Sequence, residues 1–195
     1  MDGLIQAIEF FALVTGLAYV VLEILQKNAM WVLGVLTSAA CAFSFGVQQV
    51  WASMGLNVYY LVISVIGFLR WRKDSGLVAE GEIHLRKLPR STVWWSTGIV
   101  LAGTTGLFFL LRATGDSAPL LDAAATLLSV VATWWLTRSY IEQWLLFIVA
   151  DILTTTLCVT TGQYWMALLY LAYIGSAIYG YYHWKKRGKV VNLPA

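Results

Sequence analysis

The sequence predicts an all-α integral membrane protein of seven transmembrane helices, arranged 3+1+3 as a parallel repeat. Three observations carry that prediction. Of the 195 residues, 59% are hydrophobic and only 12% are charged, where a soluble domain carries about 25% charged residues. Mean hydropathy is +0.72. The apolar runs approach the roughly 20 residues that a spanning helix needs, not the roughly 10 of a barrel strand. Finally, sliding the chain by 113 residues without a gap pairs Trp31 with Trp144, Leu33 with Leu146, Leu56 with Leu169, Tyr60 with Tyr173, Gly67 with Gly180 and Trp71 with Trp184. Two tryptophan pairs and a glycine pair in one register are the mark of an internal repeat.

The elements follow in order. Spans are predicted at 4–25, 30–51, 55–72, 93–112, 119–138, 143–162 and 164–184. The N-terminus lacks the positive region of a signal peptide and carries Glu9 in its apolar run, so it reads as a mature helix. Residues 1–72 form the first three-helix repeat and 117–185 the second. Between them, 73–116 holds a charged, Gly-punctuated aqueous loop and a linker helix at 93–112; 186–195 is a tail. Residues 113–119, ATGDSAP, make a compact turn. One inserted span restores orientation after three, so the units are parallel and related by an axis along the membrane normal, with a site expected at the midplane between them.

With seven spans, twelve of the thirteen Lys and Arg residues fall on one side, and only Arg112 lies opposite. The positive-inside rule makes the crowded side cytoplasmic, with the N-terminus outside and the C-terminus in the cytoplasm. The net charge of +3 therefore reflects topology and gives no argument for nucleic acid. Cys41 and Cys158 lie in apolar runs as small hydrophobes, without disulfide or metal spacing. His84 is placed in the aqueous loop and His183 at the last helix end, which argues against paired haem or metal ligation. No nucleophile elbow, phosphate-cradling Gly loop or HExxH is present, so no cofactor and no enzyme activity are expected.

Candidate binding residues come from the polar side chains inside spans. At helical spacing Trp144, Ile148, Asp151, Thr155, Cys158 and Gly162 share one side. A carboxylate in hydrocarbon costs roughly 2.5–3.5 kcal/mol, so Asp151 should face a cavity or a partner. The repeat places Ser38 at the equivalent position, which shows that the fold needs no acid there. Glu9 and Asp122 are repeat equivalents, either hydrogen-bonding between helices or serving a site. Glu23 and Glu142 read as interfacial residues with access to water. Asn57, Tyr60 and Ser64 form a stripe whose counterpart is Tyr170, Tyr173 and Ala177, and Gln49 stands where Gly162 does. Asp122, Thr126, Ser129, Thr133 and Thr137 make a polar stripe that is either helix–helix glue or a pathway lining. Trp31, Trp51, Trp71, Trp94, Trp95, Trp144 and Trp184 fit an interfacial aromatic belt. Together these side chains suit a small, flat, polar ligand. Aromatic faces stack on a heteroaromatic ring, amides and hydroxyls bond alcohol groups, and Asp151 balances a positive ring.

The segments SYIEQWLLFIVADI, GQYWMALLYLAY and GYYHW resemble the PnuC family of bacterial vitamin transporters. The first repeat agrees, with Glu9 and Gly16 in its opening helix, Trp31 and Gly34, then MGLNVYYLVISVIGFLRW. The likeness covers essentially the whole chain. It implies three-helix units similar to those of the sugar-transporting SWEET proteins, and facilitated diffusion of an unphosphorylated vitamin precursor across the bacterial inner membrane. It also implies a homotrimer and trapping of the vitamin by a separate cytoplasmic kinase. Family members carry nicotinamide riboside, thiamine or riboflavin. Nicotinamide riboside carriers tend to have Asn before the Trp of each repeat, where this chain has Met30 and Gln143; thiamine-type members more often have Gln there, with NVYY in the third span. The binding residues implied are Trp31, Gln49, Asn57, Tyr60, Gln143, Trp144, Asp151, Thr155, Tyr170 and Tyr173, and nicotinamide riboside is the first expectation, with thiamine or another B-vitamin such as riboflavin as alternatives. A non-transporting membrane scaffold, its polar stripes only joining helices, is the reading from another class.

Overall fold

The computed structural model describes residues 15–16, 18–47, 51–77, 79 and 82–191. Glu9 and Gln49 lie outside the described residues, as does the side chain of Trp51. The helices are α1 (residues 18–24), α2 (Ala29–Val47), α3 (Trp51–Asp74), α4 (Arg90–Ala113), α5 (Pro119–Leu136), α6 (Gln143–Thr160) and α7 (Tyr164–Arg187). Two short strands, β1 (Ile83–Leu85) and β2 (Gly188–Val190), accompany them. Among the described residues, α2 to α6 are long and apolar enough to cross a membrane. Helix α7 has the length, but its tyrosines, glycines and basic end dilute its hydropathy. The protein is thus an all-α, multi-pass membrane protein. Large apolar side chains such as Leu69, Leu101 and Phe109 are exposed on the helices, as lipid-facing positions are.

The chain forms two compact units, Met1–His84 and Leu85–Ala195. In the first, α2 packs on α3. Helix α2 buries Trp31, Gly34 and Ser38 on one face, the spacing that puts side chains one above another. Gly34 is required there, because a Cβ would meet Ser64 Oγ at 2.6 Å. In the second unit α6 packs on both α5 and α7, and α4 on α5. Pro119 opens α5 with its fixed φ, and Asp122 sits in the first turn, where a carboxylate favours the helix dipole. Trp135 donates its indole N–H to Ser96 Oγ at 2.9 Å, tying α5 to α4.

The turns from α1 to α2 and from α5 to α6 each pass through a non-glycine residue in left-handed backbone. These are Gln26, φ 49°, and Ser139, φ 54°, which stand 113 positions apart, at the same point of the repeat. Each turn is tied down. The Gln26 side-chain amide donates to His84 O at 2.9 Å and accepts from His84 N–H at 2.8 Å, as a neighbouring strand would. Ser139 O accepts from Arg86 N–H at 3.2 Å.

This corrects the expectation that the segment 73–90 is simply aqueous. Ile83, His84 and Leu85 are buried, and the His84 ring meets Trp71 edge-on at 5.5 Å. Backbone partners in the turns make burial of this polar stretch affordable in hydrogen-bond terms.

Candidate functional site

The tryptophans come first because the structure moves them from the surface to the interior. Trp31 and Trp144 are 0% and 2% exposed, and Trp71 and Trp184 are 1% and 0% exposed. In the first unit Trp31 meets Trp71 edge-on, centroids 5.1 Å apart at 81°. In the second, Trp144 meets Trp184 at 5.4 Å and 86°. Each first ring lies on a glycine. A Cβ at Gly67 would come within 2.5 Å of the Trp31 ring, and one at Gly180 within 2.6 Å of Trp144. The belt reading is therefore wrong for these four residues, which form the same Trp–Gly–Trp lock in both units. Trp94 and Trp95, by contrast, are 77% and 74% exposed. Hydropathy cannot separate an aromatic ring at the bilayer surface from one folded inward, whereas the paired glycines at 67 and 180 could have done so.

The indole N–H groups of Trp31 and Trp144 are buried without a hydrogen-bond partner among the described residues. Next to them Met30 and Gln143 are fully buried. Glu23 is also buried, which corrects its reading as a water-exposed interfacial acid. Tyr19 lies within electrostatic reach of Glu23 and Tyr60, and meets Trp31 edge-on at 6.5 Å. Asn57 and Tyr60 are half-buried on α3, with the Tyr60 ring 5.5 Å from Tyr59. Thr37 donates to Thr15 Oγ1 at 2.7 Å, joining α2 to the opening helix.

The second unit gathers a different set. Asp151 and Thr155 are half-buried on α6, and Thr155 Oγ1 is buried with no hydrogen-bond partner. Tyr170 and Tyr173 on α7 meet edge-on at 5.8 Å. Both phenols are within electrostatic reach of Asp151, and Tyr170 is also within reach of Asp122 and Cys158. Asp122 accepts from Thr126 Oγ1 at 3.3 Å. Helices α6 and α7 thus contribute to one polar patch containing Asp151, Tyr170 and Tyr173. Trp144 stands two helical turns before Asp151, about 10 Å along α6, and belongs to the lock. Gly162 has φ 75° and forms the turn after α6, so its place on the predicted stripe reflects turn geometry. In the first unit Ser38 is buried at the position of Asp151, and Asn57 stands in place of Tyr170. This patch offers one carboxylate, a hydroxyl lacking a partner and two aromatic rings. Such a set can hold a cationic ring with an alcohol group; it contains no nucleophile–base pair. Among the described residues no cluster could hold a metal ion.

Residues 6–186 match the family described as "Nicotinamide mononucleotide transporter". The nicotinamide riboside transporter PnuC of Escherichia coli is 25% identical over 201 residues, covering 91% of this chain and 84% of that one. The protein of the same name from Neisseria mucosa is 30% identical over 185 residues, covering 90% and 70%. The riboflavin/roseoflavin transporter RibM of Streptomyces davaonensis is 21% identical, covering 73% and 68%. A solved structure described as the crystal structure of the vitamin B3 transporter PnuC shares the fold with a TM-score of 0.72. It is 26% identical and covers 93% of this chain and 81% of that one. The chain belongs to the PnuC-type family, whose members are membrane transporters and not enzymes.

Proposed function

We propose that this protein takes up an unphosphorylated, cationic, heteroaromatic vitamin precursor by facilitated diffusion, and that nicotinamide riboside is its substrate. The observation that carries this reading is the Asp151, Tyr170 and Tyr173 patch, a carboxylate with two aromatic rings inside a membrane unit. A half-buried acid within a spanning helix is a functional group by default in hydrocarbon. The names of the relatives in Escherichia coli and Neisseria mucosa supply the vitamin. In this reading Asp151 balances the pyridinium charge, Tyr170 and Tyr173 stack on the ring or bond the ribose, and Thr155 bonds a hydroxyl. In the first repeat Asn57, Tyr60, Gln49 and Trp31 are the substrate-binding candidates, and in the second Trp144 and Gln143 join Asp151, Thr155, Tyr170 and Tyr173. The protein has seven spans in a 3+1+3 repeat, lies in the bacterial cytoplasmic membrane with the C-terminus inside, and works as a homotrimer with a separate kinase trapping the product.

Thiamine is the second reading, favoured by Met30 and Gln143, which fill the positions where nicotinamide riboside carriers tend to have Asn. It too is a cationic ring with an alcohol tail. Counterflow in proteoliposomes, without ATP or an ion gradient, separates the two. Exchange of labelled nicotinamide riboside but not thiamine is expected; exchange of thiamine alone reverses the assignment, and exchange of neither, with riboflavin also inert, returns the protein to the scaffold class.

A further inference from the structure

The turn between α5 and α6 carries an arginine without an acceptor. Arg138 is half-buried, and its guanidinium carbon lies 4.7 Å from the centroid of the Trp134 ring. Its Nε is buried and has no hydrogen-bond partner. Among the described residues no ion pair reaches it. A guanidinium over an indole keeps its in-plane N–H donors, and the terminal pair can take two oxygens of a phosphate or carboxylate at once.

Its surroundings are basic and lie at the ends of the long apolar helices. Arg86 N–H bonds to Ser139 O at 3.2 Å, next to Arg138 in sequence, and Val191 N–H bonds to Leu85 O at 2.8 Å. These bonds hold the segment after β1 and the tail after α7 at the end of the unit where Arg138 sits. They bring Lys87, Arg90, Lys185, Lys186, Arg187 and Lys189 there, all exposed. Glu82, just before β1, and Glu142 are the carboxylates nearest in sequence to this end; among the described residues Glu142 Oε2 is buried without a partner and makes no ion pair with Arg138. Asp116 and Asp122 belong to the opposite end of α5, and Asp151 lies deeper on α6. Exposed Trp94 and Trp95 stand about one turn along α4 from Arg90, and exposed Tyr182 stands just before Lys185. Exposed aromatics of this kind mark the boundary between hydrocarbon and headgroups.

We propose that Arg138, lying over the Trp134 ring, binds the phosphodiester of an anionic phospholipid headgroup, with the exposed lysines and arginines attracting the lipid from a distance. A free phosphate offers the same oxygens. The site is assigned to lipid because the aromatics beside it sit at headgroup depth and the exposed apolar faces of α4 and α7 continue from it for acyl chains.

The test measures binding of phosphatidylglycerol to the purified full chain in a neutral detergent, read as the rise in Tm with lipid concentration. Phosphatidylcholine and inorganic phosphate serve as the other two probes. Phosphatidylglycerol should stabilise the protein, and the other two should not do so at the same concentrations. Arg138→Lys, which keeps the charge and loses the fork, should weaken the apparent affinity roughly tenfold, as loss of a charge-assisted hydrogen bond does. Lys185→Gln with Lys186→Gln should weaken it only at low salt, because exposed charges are screened. Trp134→Leu, which frees the guanidinium without removing it, should also weaken it. Wild-type affinity in both Arg138→Lys and Trp134→Leu would overturn the proposal, as would an equal shift from inorganic phosphate.

Discussion

The helix pairs α2–α3 and α6–α7 are most alike where they are most densely packed and least alike where they are polar. Trp31, Gly67 and Trp71 repeat as Trp144, Gly180 and Trp184, in the same edge-on geometry and with each first ring on its glycine. Even the left-handed turn recurs, at Gln26 and Ser139. Ser38 and Asn57, however, become Asp151 and Tyr170. Positions that both units keep serve the fold that both share. A position that only one unit fills with a charge is free of that duty, and so is where a ligand's chemistry can be written.

That contrast can be broken at its strong end first. Trp31→Ala and Trp144→Ala each remove a buried indole and should cost about 3–5 kcal/mol, with similar losses of Tm in the two variants. Very unequal losses would mean that the locks are not equivalent. Gly67→Ala and Gly180→Ala come next. Neither indole can withdraw, since each is wedged against a second one, so overpacking of about 1–3 kcal/mol is expected in both, read as folded yield and Tm. Tyr170→Phe should leave Tm near wild type while lowering substrate affinity about 3- to 10-fold, the scale of one lost hydrogen bond. A drop in Tm with unchanged affinity would make Tyr170 helix glue. The smallest effect sharpens the turn comparison. Ser139 is buried, left-handed, and its Oγ lacks a partner, so Ser139→Gly should stabilise by up to about 1 kcal/mol. Gln26→Gly should instead destabilise, because Gln26 holds both backbone groups of His84.

Much of this architecture was legible in the chain. The low charge and long apolar runs fix a helical membrane protein, because only helices and closed barrels satisfy the backbone in lipid. Helices α2 to α7 start and end within a few residues of the predicted spans, as at 93–112 against Arg90–Ala113. The inward turn of Trp71 and Trp184 was not legible from hydropathy, which scores the residue and not its direction. His84 was hidden because its partner, Gln26, lies 58 residues away and uses a side chain to mimic a strand. The proximity of Asp151 to Tyr170 and Tyr173 was half-legible. Symmetry-breaking singled out Asp151 and Tyr170 separately, but only the packing of α6 on α7 joins them. Arg138 looked like one more topological charge, since sequence alone does not reveal that its fork stays unpaired above Trp134.

The central claim, that the charge unique to the second unit selects the ligand, has a direct measurement. Binding of nicotinamide riboside and of its neutral, reduced dihydro form is compared by calorimetry for the wild type and Asp151→Asn, with the protein's Tm recorded alongside. Loss of a close charge partner in a poorly hydrated site should weaken the cation by about tenfold or more and leave the neutral form within about twofold, at unchanged Tm. Equal weakening of both ligands would contradict the account and leave Asp151 a structural residue.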